Sequence, residues 1–392
     1  MSSLTQIDAF LPYEQELVAI RRHLHQHPEL AFAEHATADY VAQSLSSWGY
    51  EVTRGIGGTG LVGTLRCGDG AKRLGLRADM DALPIQEQTG LDYASVQPGC
   101  MHACGHDGHM AMLLGAAKYL ARHRRFSGTL NLIFQPAEER GFDSGGKAMV
   151  EDGLFERFPC DAAYAIHNHP GEPQGNFMMR AGPFMAAGDR VFATIVGVGG
   201  HAARPHLAVD PLVAAAAIVT SLQTVVSRNV DPSESAVVTV GRLQAGDALN
   251  VIPQSAEIGI SVRSFSPATR LLLKQRIQAL ITGIAEAHGA RAEIKYIEGY
   301  PMLVNDAAAV DLAGAVATDL VGAERVTMEF PQLMGSEDFA YMLQACPGAL
   351  IRLGNGPTAN GRSLHNPQYD FNDRNLPYGA AFWSQLAERF LA

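Results

Sequence analysis

The sequence predicts an α/β protein in which a domain with a mainly parallel, helix-covered sheet is interrupted by a smaller α+β domain. Strand and helix patterns alternate over 73–170, as in parallel sheets joined by crossover helices. The pattern changes near Ala187 and returns to α/β from Asn305. The expected domains are 1–186 together with 299–392, and an inserted domain over 187–298.

The first part of the larger domain begins with helix. Apolar residues recur at three- and four-residue steps from Leu17 to Trp48, and Gly49 ends this pattern. Short extended patterns follow at 51–54 and 60–66. The elements expected next are a strand over 73–79, a helix over 106–120, a strand over 129–136, a helix over 147–155 and a strand over 162–170.

The inserted segment follows the order strand–helix–strand–strand–helix–strand, which is the ferredoxin-like signature. Its expected strands cover 189–203, 236–246, 255–265 and 291–299, and its helices cover 211–226 and 267–288. The larger domain then resumes. It is expected to contain a helix over 306–320, a loop over 331–338, a strand over 349–354 and a helix from Pro377.

Composition excludes several classes of function. The 392 residues are 47% hydrophobic and 18% charged, as in ordinary soluble globular proteins. The net charge of −10 argues against nucleic acid and anionic membrane as partners. No stretch of 18 uninterrupted apolar residues is present, and the first residues lack the basic head of an export signal. With five scattered cysteines, we expect a cytoplasmic protein without a disulfide framework.

Side chains that can bind a metal ion follow the predicted strands of the larger domain. In open α/β sheets, ligands gather beyond the carboxyl ends of the strands. The candidate donors are Asp79, Asp81, Cys104, His106, Asp107, His109, Glu138, Glu139, His167, His169 and His365. Any one of these is more often a structural residue, but their coincidence at every strand end favours a divalent-metal site. Thiolate, imidazole and carboxylate together suit zinc and also accept manganese, cobalt or nickel.

The adjacent glutamates Glu138 and Glu139 are predicted to have different roles. Neighbouring side chains on extended backbone point to opposite sides, so one carboxylate can bind metal while the other faces a water molecule. Two divalent ions would acidify that water and polarise a carbonyl, and the free carboxylate would pass the proton to a leaving nitrogen. Asp81 would not bind metal itself but would orient a histidine ligand. This arrangement hydrolyses amides.

Eight segments, in order along the chain, resemble the M20 metallopeptidase family. They are RADMDALP (77–84), CMHACGHDGHMAMLLGAA (100–117), FQPAEE (134–139), AIHNHPG (165–171), GGHAARPH (199–206), LNVIP (249–253), MGSEDFAY (334–341) and LHNPQYDFND (364–373). The branch most similar to them contains the amidohydrolases that cleave N-acyl amino acids, such as hippurate and auxin-conjugate hydrolases. The resemblance implies a catalytic domain interrupted by a lid domain that also mediates homodimer formation.

The resemblance also implies roles for individual residues. The ligands of two divalent ions, of unspecified identity, would be Cys104, His106, Glu139, His167 and His365, with Glu138 as general base and Asp81 as the residue that orients a ligand. The more familiar peptidases of the family have histidine where Asp79 stands and an aspartate as bridging ligand. The CGHD motif is similar to the branch in which Cys104 is a ligand. We interpret His109, Asn168 and His169 as supporting or structural residues.

In the lid, the resemblance implies that His201 reaches an active site of the partner subunit and hydrogen-bonds the substrate carbonyl oxygen as it becomes an oxyanion. Asn250 and Arg263 would bind the free α-carboxylate of the substrate, for which the planar guanidinium is well suited. Where the branch usually has a run of glycines, this chain has Arg140-Gly141-Phe142-Asp143-Ser144. We expect Arg140 or Phe142 to influence substrate choice.

The expected reaction is hydrolysis of an N-acetyl- or N-benzoyl-type amino acid to a carboxylic acid and a free amino acid. A dipeptidase or carboxypeptidase of the same family would use the same site. A cysteine amidase with Cys104 as nucleophile is a different class, but it leaves the carboxylates without a role. A non-catalytic binding protein would have lost some of the expected residues, and none is missing.

Overall fold

The computed structural model describes residues 6–358 and 363–392, and the chain divides into two compact units. The large unit runs to Phe184 and also contains Leu303–Gln332 and Asp338–Ala392. The small unit contains Met185–Met302 and Leu333–Glu337. The sequence places 333–337 with the larger domain, but Ala186 N donates to Leu333 O at 3.0 Å and to Gly335 O at 3.1 Å. The functional division into catalytic and lid domains stays a prediction.

Strands and helices alternate along most of the described chain. The strands are β1 Glu51–Ile56, β2 Gly60–Cys67, β3 Arg73–Asp79, β4 Gly128–Gln135, β5 Ala162–His169, β6 Phe177–Met178, β7 Gly182–Met185, β8 Ala187–Val196, β9 Gly200–His201, β10 Ala236–Gln244, β11 Val251–Ile252, β12 Ser255–Ser264, β13 Arg291–Glu298, β14 Leu303–Asn305, β15 Val326–Thr327 and β16 Gly348–Gly354. The helices are α1 Glu14–Gln26, α2 His35–Ser47, α3 His106–His123, α4 Gly145–Glu151, α5 Leu154–Arg157, α6 Pro211–Asn229, α7 Pro267–Ala287, α8 Ala307–Val321, α9 Phe339–Ala345 and α10 Leu376–Phe390.

The large unit contains an eight-stranded sheet with the order β1-β2-β4-β3-β5-β16-β6-β15. Its four central strands, β4, β3, β5 and β16, are parallel neighbours. They are almost continuously apolar and buried, because helices cover parallel sheets on both faces. Helix α3, which carries the CGHD motif at its start, is buried along nearly its whole length and packs against α10 and α1.

The small unit contains a four-stranded antiparallel sheet with the order β10-β12-β8-β13. Chain order and sheet order together are those of a ferredoxin-like fold, so the expected fold class is confirmed. Helices α6 and α7 bury their apolar faces against this sheet. Each begins at a proline preceded by a capping side chain, since Asp210 accepts from Leu212 N and Ser266 accepts from Thr269 N.

Three expected elements differ from the structure at residues that interrupt regular backbone. The predicted first helix is two helices, α1 and α2, with Pro28 between them. The helix expected over 147–155 is interrupted at Gly153, whose φ of +78° is left-handed. The strand expected over 189–203 ends at Val196 and is followed by the two-residue strand β9.

Helix α6 is long and apolar enough to cross a membrane by length and composition alone. Its residues Ala214, Ile218, Leu222 and Val225 are fully buried and belong to the core of the small unit. These contacts account for its apolar composition, because a helix that packs on a sheet needs one apolar face.

Candidate metal centre

The carboxyl ends of the parallel strands β3, β4, β5 and β16 meet at one edge of the large sheet. The segments that leave this edge carry the donor side chains that the sequence predicts. Three overlapping groups have donor atoms that all lie within 4.8 Å of one another: Cys104–His106–His167, Cys104–Glu139–His365 and His106–Glu138–Glu139. The structure therefore brings together all five expected ligands and the expected general base.

The turn at Gly105 places two of these donors side by side. Gly105 has a φ of +92° and precedes the first residue of α3. A Cβ atom there would lie 2.4 Å from Asn168 Nδ2 and 2.6 Å from Tyr369 Oη, so both the conformation and the space require glycine. Because the chain turns tightly here, Cys104 and His106 contribute to the same cluster.

Hydrogen bonds fix which ring nitrogen each histidine offers. His106 Nδ1 donates to Asp81 O at 2.8 Å, and His167 Nδ1 donates to Asn168 O at 2.7 Å. A neutral imidazole that donates through one nitrogen has a lone pair on the other. His167 Nε2 lies 3.4 Å from Cys104 Sγ. His106 Nε2 is buried without a hydrogen-bond partner within the described part of the chain.

This donor set fits a divalent cation. A buried ring nitrogen without a partner costs free energy, and a metal ion that displaces the proton of His106 Nε2 would satisfy it. Three imidazoles, a thiol and a carboxylate are the ligand types that zinc and similar transition metals prefer. The residues present therefore match the metal site that the sequence predicts.

The glutamate pair lies on a 3₁₀ turn, Glu138–Arg140, that follows directly after β4. Ala137 enters this turn with a φ of +52°, and its N–H donates to the buried Glu34 Oε1 at 2.9 Å. Glu139 N donates to Asp81 Oδ2 at 2.9 Å. Asp81 therefore contacts both His106, through its main-chain oxygen, and the backbone of Glu139, through its carboxylate.

His365 approaches from the segment that follows β16. Its Nε2 lies 3.1 Å from Glu139 Oε1, and its main-chain N–H donates to Ala103 O at 2.8 Å. The φ of His365 is +61°, an uncommon conformation for a residue other than glycine. Such strain persists only where surrounding contacts impose it, and it is concentrated at functional sites.

Burial and the nearby carboxylates shift the pKa values of two of the expected ligands. Burial, together with Glu139 and Glu138, raises the pKa of the Cys104 thiol well above its usual value. Burial alone would lower the pKa of His106, but Asp79, Asp81 and Glu139 raise it to about 10. The cluster therefore favours uptake of positive charge, either as protons or as metal ions.

His109 and Asn168 support the cluster from behind. His109 Nδ1 donates to Asp79 Oδ1 at 2.7 Å, and its Nε2 accepts from Asn168 N at 3.0 Å, so both ring nitrogens have partners. Asn168 Nδ2 donates to Cys104 O at 2.6 Å, and Tyr369 Oη donates to Asn168 Oδ1 at 2.8 Å. Tyr369 is not among the residues that the sequence predicts for the site, although it lies inside the LHNPQYDFND segment.

The three expected substrate-contacting residues lie in the small unit. His201 is exposed on β9, and its Nδ1 accepts from Ala203 N at 3.1 Å, which leaves the proton of a neutral ring on Nε2. Asn250 is exposed, and its main-chain oxygen accepts from Ala202 N at 3.0 Å. Arg263 is partly buried on β12, and its Nη1 donates to Val262 O at 3.0 Å.

Comparison with known proteins identifies the family of this chain. The family model described as Peptidase family M20/M25/M40 matches residues 75–389. This chain belongs to that family. It is 44% identical over 385 residues to the hippurate hydrolase of Campylobacter jejuni, and the match covers 98% of this chain and 99% of that protein. The expected family is confirmed.

Two further relatives agree with that assignment. The chain is 38% identical to an N-acetyl-L-cysteine deacetylase of Bacillus subtilis, over 96% of this chain and 89% of that protein. It also resembles the crystal structure of the Bacillus subtilis YXEP protein, described as a dinuclear metal-binding peptidase of the M20 family. That match has a TM-score of 0.81 and 32% identity, and it covers 97% of this chain and 99% of that one. The protein is an M20 metal-dependent amidohydrolase that acts on small amide substrates.

Proposed function

We propose that this M20 enzyme hydrolyses the amide bond of N-acyl amino acids of the N-acetyl or N-benzoyl type, releasing a carboxylic acid and a free amino acid. The observation that carries the proposal is the convergence of Glu138 with His106 and Glu139 beside the other donors. The names of the relatives support the substrate class, since hippurate is N-benzoylglycine and the deacetylase acts on an N-acetyl amino acid.

The donor groups suggest how two cations are held. One cation would be held by residues of the group Cys104, His106 and His167, and the other by residues of the group Cys104, Glu139 and His365. We expect zinc, manganese, cobalt or nickel, because one thiolate among imidazoles and carboxylate accepts all four. When bound, the cations supply polarisation of the substrate carbonyl and acidification of the attacking water.

Glu138 acts as the general base. It is 6% exposed, and its carboxylate lies among the ligands without being needed in either of the two groups that share Cys104. It takes the proton from the attacking water and returns it to the nitrogen of the departing amino acid. Asp81 keeps His106 and Glu139 in position for this reaction through the two hydrogen bonds described above.

The small unit supplies the contacts to the substrate. His201 donates from Nε2 to the carbonyl oxygen as negative charge develops on it. Asn250 and Arg263 bind the α-carboxylate, and the guanidinium can form two parallel hydrogen bonds with it. A substrate with a free α-carboxylate is therefore preferred over its ester or amide.

The decisive experiment is an amine-release screen of the purified, metal-loaded protein, together with elemental analysis. We expect cleavage of several N-acetyl or N-benzoyl amino acids, and slower cleavage of the methyl ester of the best substrate. Absence of cleavage across the panel would refute the proposal. Faster cleavage of a dipeptide with a free amine than of hippurate would instead favour the dipeptidase or carboxypeptidase alternative.

A cysteine amidase makes the opposite prediction about thiol reagents. A nucleophilic cysteine needs a lowered pKa, whereas burial and the nearby carboxylates raise that of Cys104. For the metalloenzyme, a chelator abolishes turnover and brief alkylation of the metal-loaded protein does not. Loss of activity on alkylation with retained metal would favour Cys104 as nucleophile.

A second copy of the chain is expected to bind the small unit. Leu212 and Val213 on α6 are 44% and 50% exposed, and β10 is a largely exposed edge strand. Edge strands and exposed apolar patches are common oligomer interfaces. Light scattering at micromolar concentration is expected to give a homodimer or a higher assembly.

A cytoplasmic location is consistent with the five free thiols.

A further inference from the structure

Helix α1 carries two polar residues on its buried face. Leu17, Ile20 and Leu24 form the apolar stripe of the helix, and Arg21 and His25 lie on the same face at helical spacing. Both polar side chains are fully buried. A buried arginine cannot lose its charge, so it needs carboxylate partners.

Arg21 contacts three aspartates from two different parts of the large unit. Its Nε donates to Asp107 Oδ2 at 2.8 Å, and its Nη2 donates to Asp370 Oδ1 at 2.6 Å. Its Nη1 lies 3.4 Å from Asp373 Oδ1. Asp107 is also fully buried. A single guanidinium therefore links the start of α3 to the segment that follows β16.

His25 strengthens the same link. Its Nδ1 lies 2.8 Å from Asp107 Oδ2, and its Nε2 lies 3.3 Å from Glu87 Oε1. Glu87 Oε2 accepts from Ser95 N at 2.7 Å. The His25 ring thus ties Asp107 to the loop between β3 and α3.

That loop also contacts the segment after β16 directly. Tyr93 Oη donates to Asp370 Oδ2 at 3.0 Å, and Gln88 N donates to Pro367 O at 2.8 Å. The network therefore joins four segments: α1 contacts the loop, the start of α3 and the segment after β16, and the loop contacts the segment after β16 directly. Arg21 Nη1, Asp107 Oδ1 and Asp373 Oδ1 have no hydrogen-bond partner among the described residues, so the ion pairs and the other hydrogen bonds are what hold these segments together.

Two of the linked segments carry expected metal ligands. Asp107 directly follows His106, and Asp370 lies five residues after His365 on the same segment. We infer that Arg21, through its ion pairs with Asp107 and Asp370, is a positioning residue that holds His106 and His365 at the spacing needed for metal binding. This inference rests on the proposed metal-ligand roles of those two histidines.

The expected loss of metal affinity follows from the effect of similar supporting residues at other metal sites. Residues that orient ligands without touching the metal typically change metal affinity or activity by about 10–100-fold when they are replaced. Arg22, the next residue, is 45% exposed; it contacts Asp373 and lies over the Tyr93 ring, but it makes no ion pair with Asp107 or Asp370 in the described part of the chain. It therefore provides a matched control on the same helix.

The test is titration of the metal-free, full-length protein with Co²⁺, monitored by the absorption of cobalt bound to thiolate and by chelator competition. Arg21→Met is expected to bind Co²⁺ about 10–100-fold more weakly than wild type, with an altered spectrum. Arg22→Met is expected to match wild type. Arg21→Lys keeps the charge without the planar fork and is expected to recover part of the affinity.

Asp370→Asn keeps the result interpretable if Arg21→Met does not fold. It removes one carboxylate from the network and leaves the buried Arg21–Asp107 pair intact, so the variant is expected to fold and to bind Co²⁺ more weakly. If the folded variants bind Co²⁺ within twofold of wild type and with an unchanged spectrum, Arg21 has no positioning role. Because this measurement uses no substrate, tight cobalt binding without amide hydrolysis would refute the proposed function alone.

Discussion

Most candidate residues of the large unit are buried and fixed by hydrogen bonds, with His365 as an exposed exception, whereas those of the small unit are mostly exposed. Cys104, His106 and His167 are between 0% and 6% exposed. His201 and Asn250, by contrast, lie on exposed segments around the two-residue strands β9 and β11. The expected metal ligands are therefore more preorganised than the residues expected to contact the substrate.

The difference reflects what each set has to bind. A metal site must hold several ligands at fixed spacing before the ion arrives, so their orientation is set by buried partners such as Asp81 O and Asn168 O. A group that contacts a substrate only as charge develops needs a proton in the correct place and an accessible side chain. His201 meets that requirement, because its Nδ1 accepts a backbone hydrogen bond.

The sharpest test of the buried set is Glu138→Gln. We expect kcat to fall by about 10²–10⁴, since a positioned general base contributes that much, while bound metal is retained. Steady-state kinetics and elemental analysis of the same sample check this. Glu151→Gln on α4 is the control, because that carboxylate is 66% exposed. If metal content falls together with activity, Glu138 is a ligand.

The matching test of the exposed set is His201→Ala. We expect kcat to fall by about 10²–10³, as for removal of one donor to a developing oxyanion, with unchanged metal content. The exposed His206 in the same loop is the control position, as His206→Ala. Mixing inactive His201→Ala and Glu138→Gln subunits is expected to restore partial activity if His201 acts across a dimer. An unaltered kcat would show that His201 of the small unit takes no part in the reaction.

Replacement of Arg263 separates substrate binding from chemistry. Arg263→Met is expected to raise KM by about 10–100-fold and to change kcat less, because a charge-assisted pair with a carboxylate contributes about 1.5–3 kcal/mol. Arg242→Met, on the neighbouring strand, is the control, since Arg242 pairs with Glu257 on the surface. Equal losses for a free acid and its methyl ester would contradict the assigned contact.

The smallest expected effect concerns the backbone of the buried set. Gly105→Ala places a Cβ against Asn168 and Tyr369, whereas Gly99→Ala, also at positive φ, meets open space. Left-handed strain costs both variants about 1–2 kcal/mol in thermal unfolding. Only Gly105→Ala is expected to weaken metal binding as well. Equal metal affinity of the two variants would show that the turn does not set the spacing of Cys104 and His106.

Several features of the site were predictable because the responsible signals are local. Glu138 and Glu139 follow an apolar strand, His167 lies near the end of another, and Cys104 and His106 stand at the start of a helix whose pattern is plain in the sequence. The adjacency of the two glutamates also indicates different roles. Arg21 and His25 had a readable signal that was missed, namely charged residues at the i+4 positions of an apolar helical stripe.

Other features required the folded chain. Which nitrogen His106 offers depends on Asp81 O, and the role of His109 depends on Asp79 and Asn168 occupying both of its nitrogens. These partners are 25–59 positions apart in sequence. Local pattern contains no information about such pairs, because tertiary packing alone brings them within hydrogen-bond distance.

The sequence by itself determined the α/β class, the ferredoxin-like insertion and the types of donor atom at the strand ends, since periodicity and residue chemistry are properties of short segments. Only the tertiary structure decided that Leu333–Glu337 packs with the small unit and that Arg21 joins three segments around two ligands. It also decided that Cys104 belongs to two overlapping groups of donors. Those facts depend on distances between residues far apart in the chain, which are set when the cores pack.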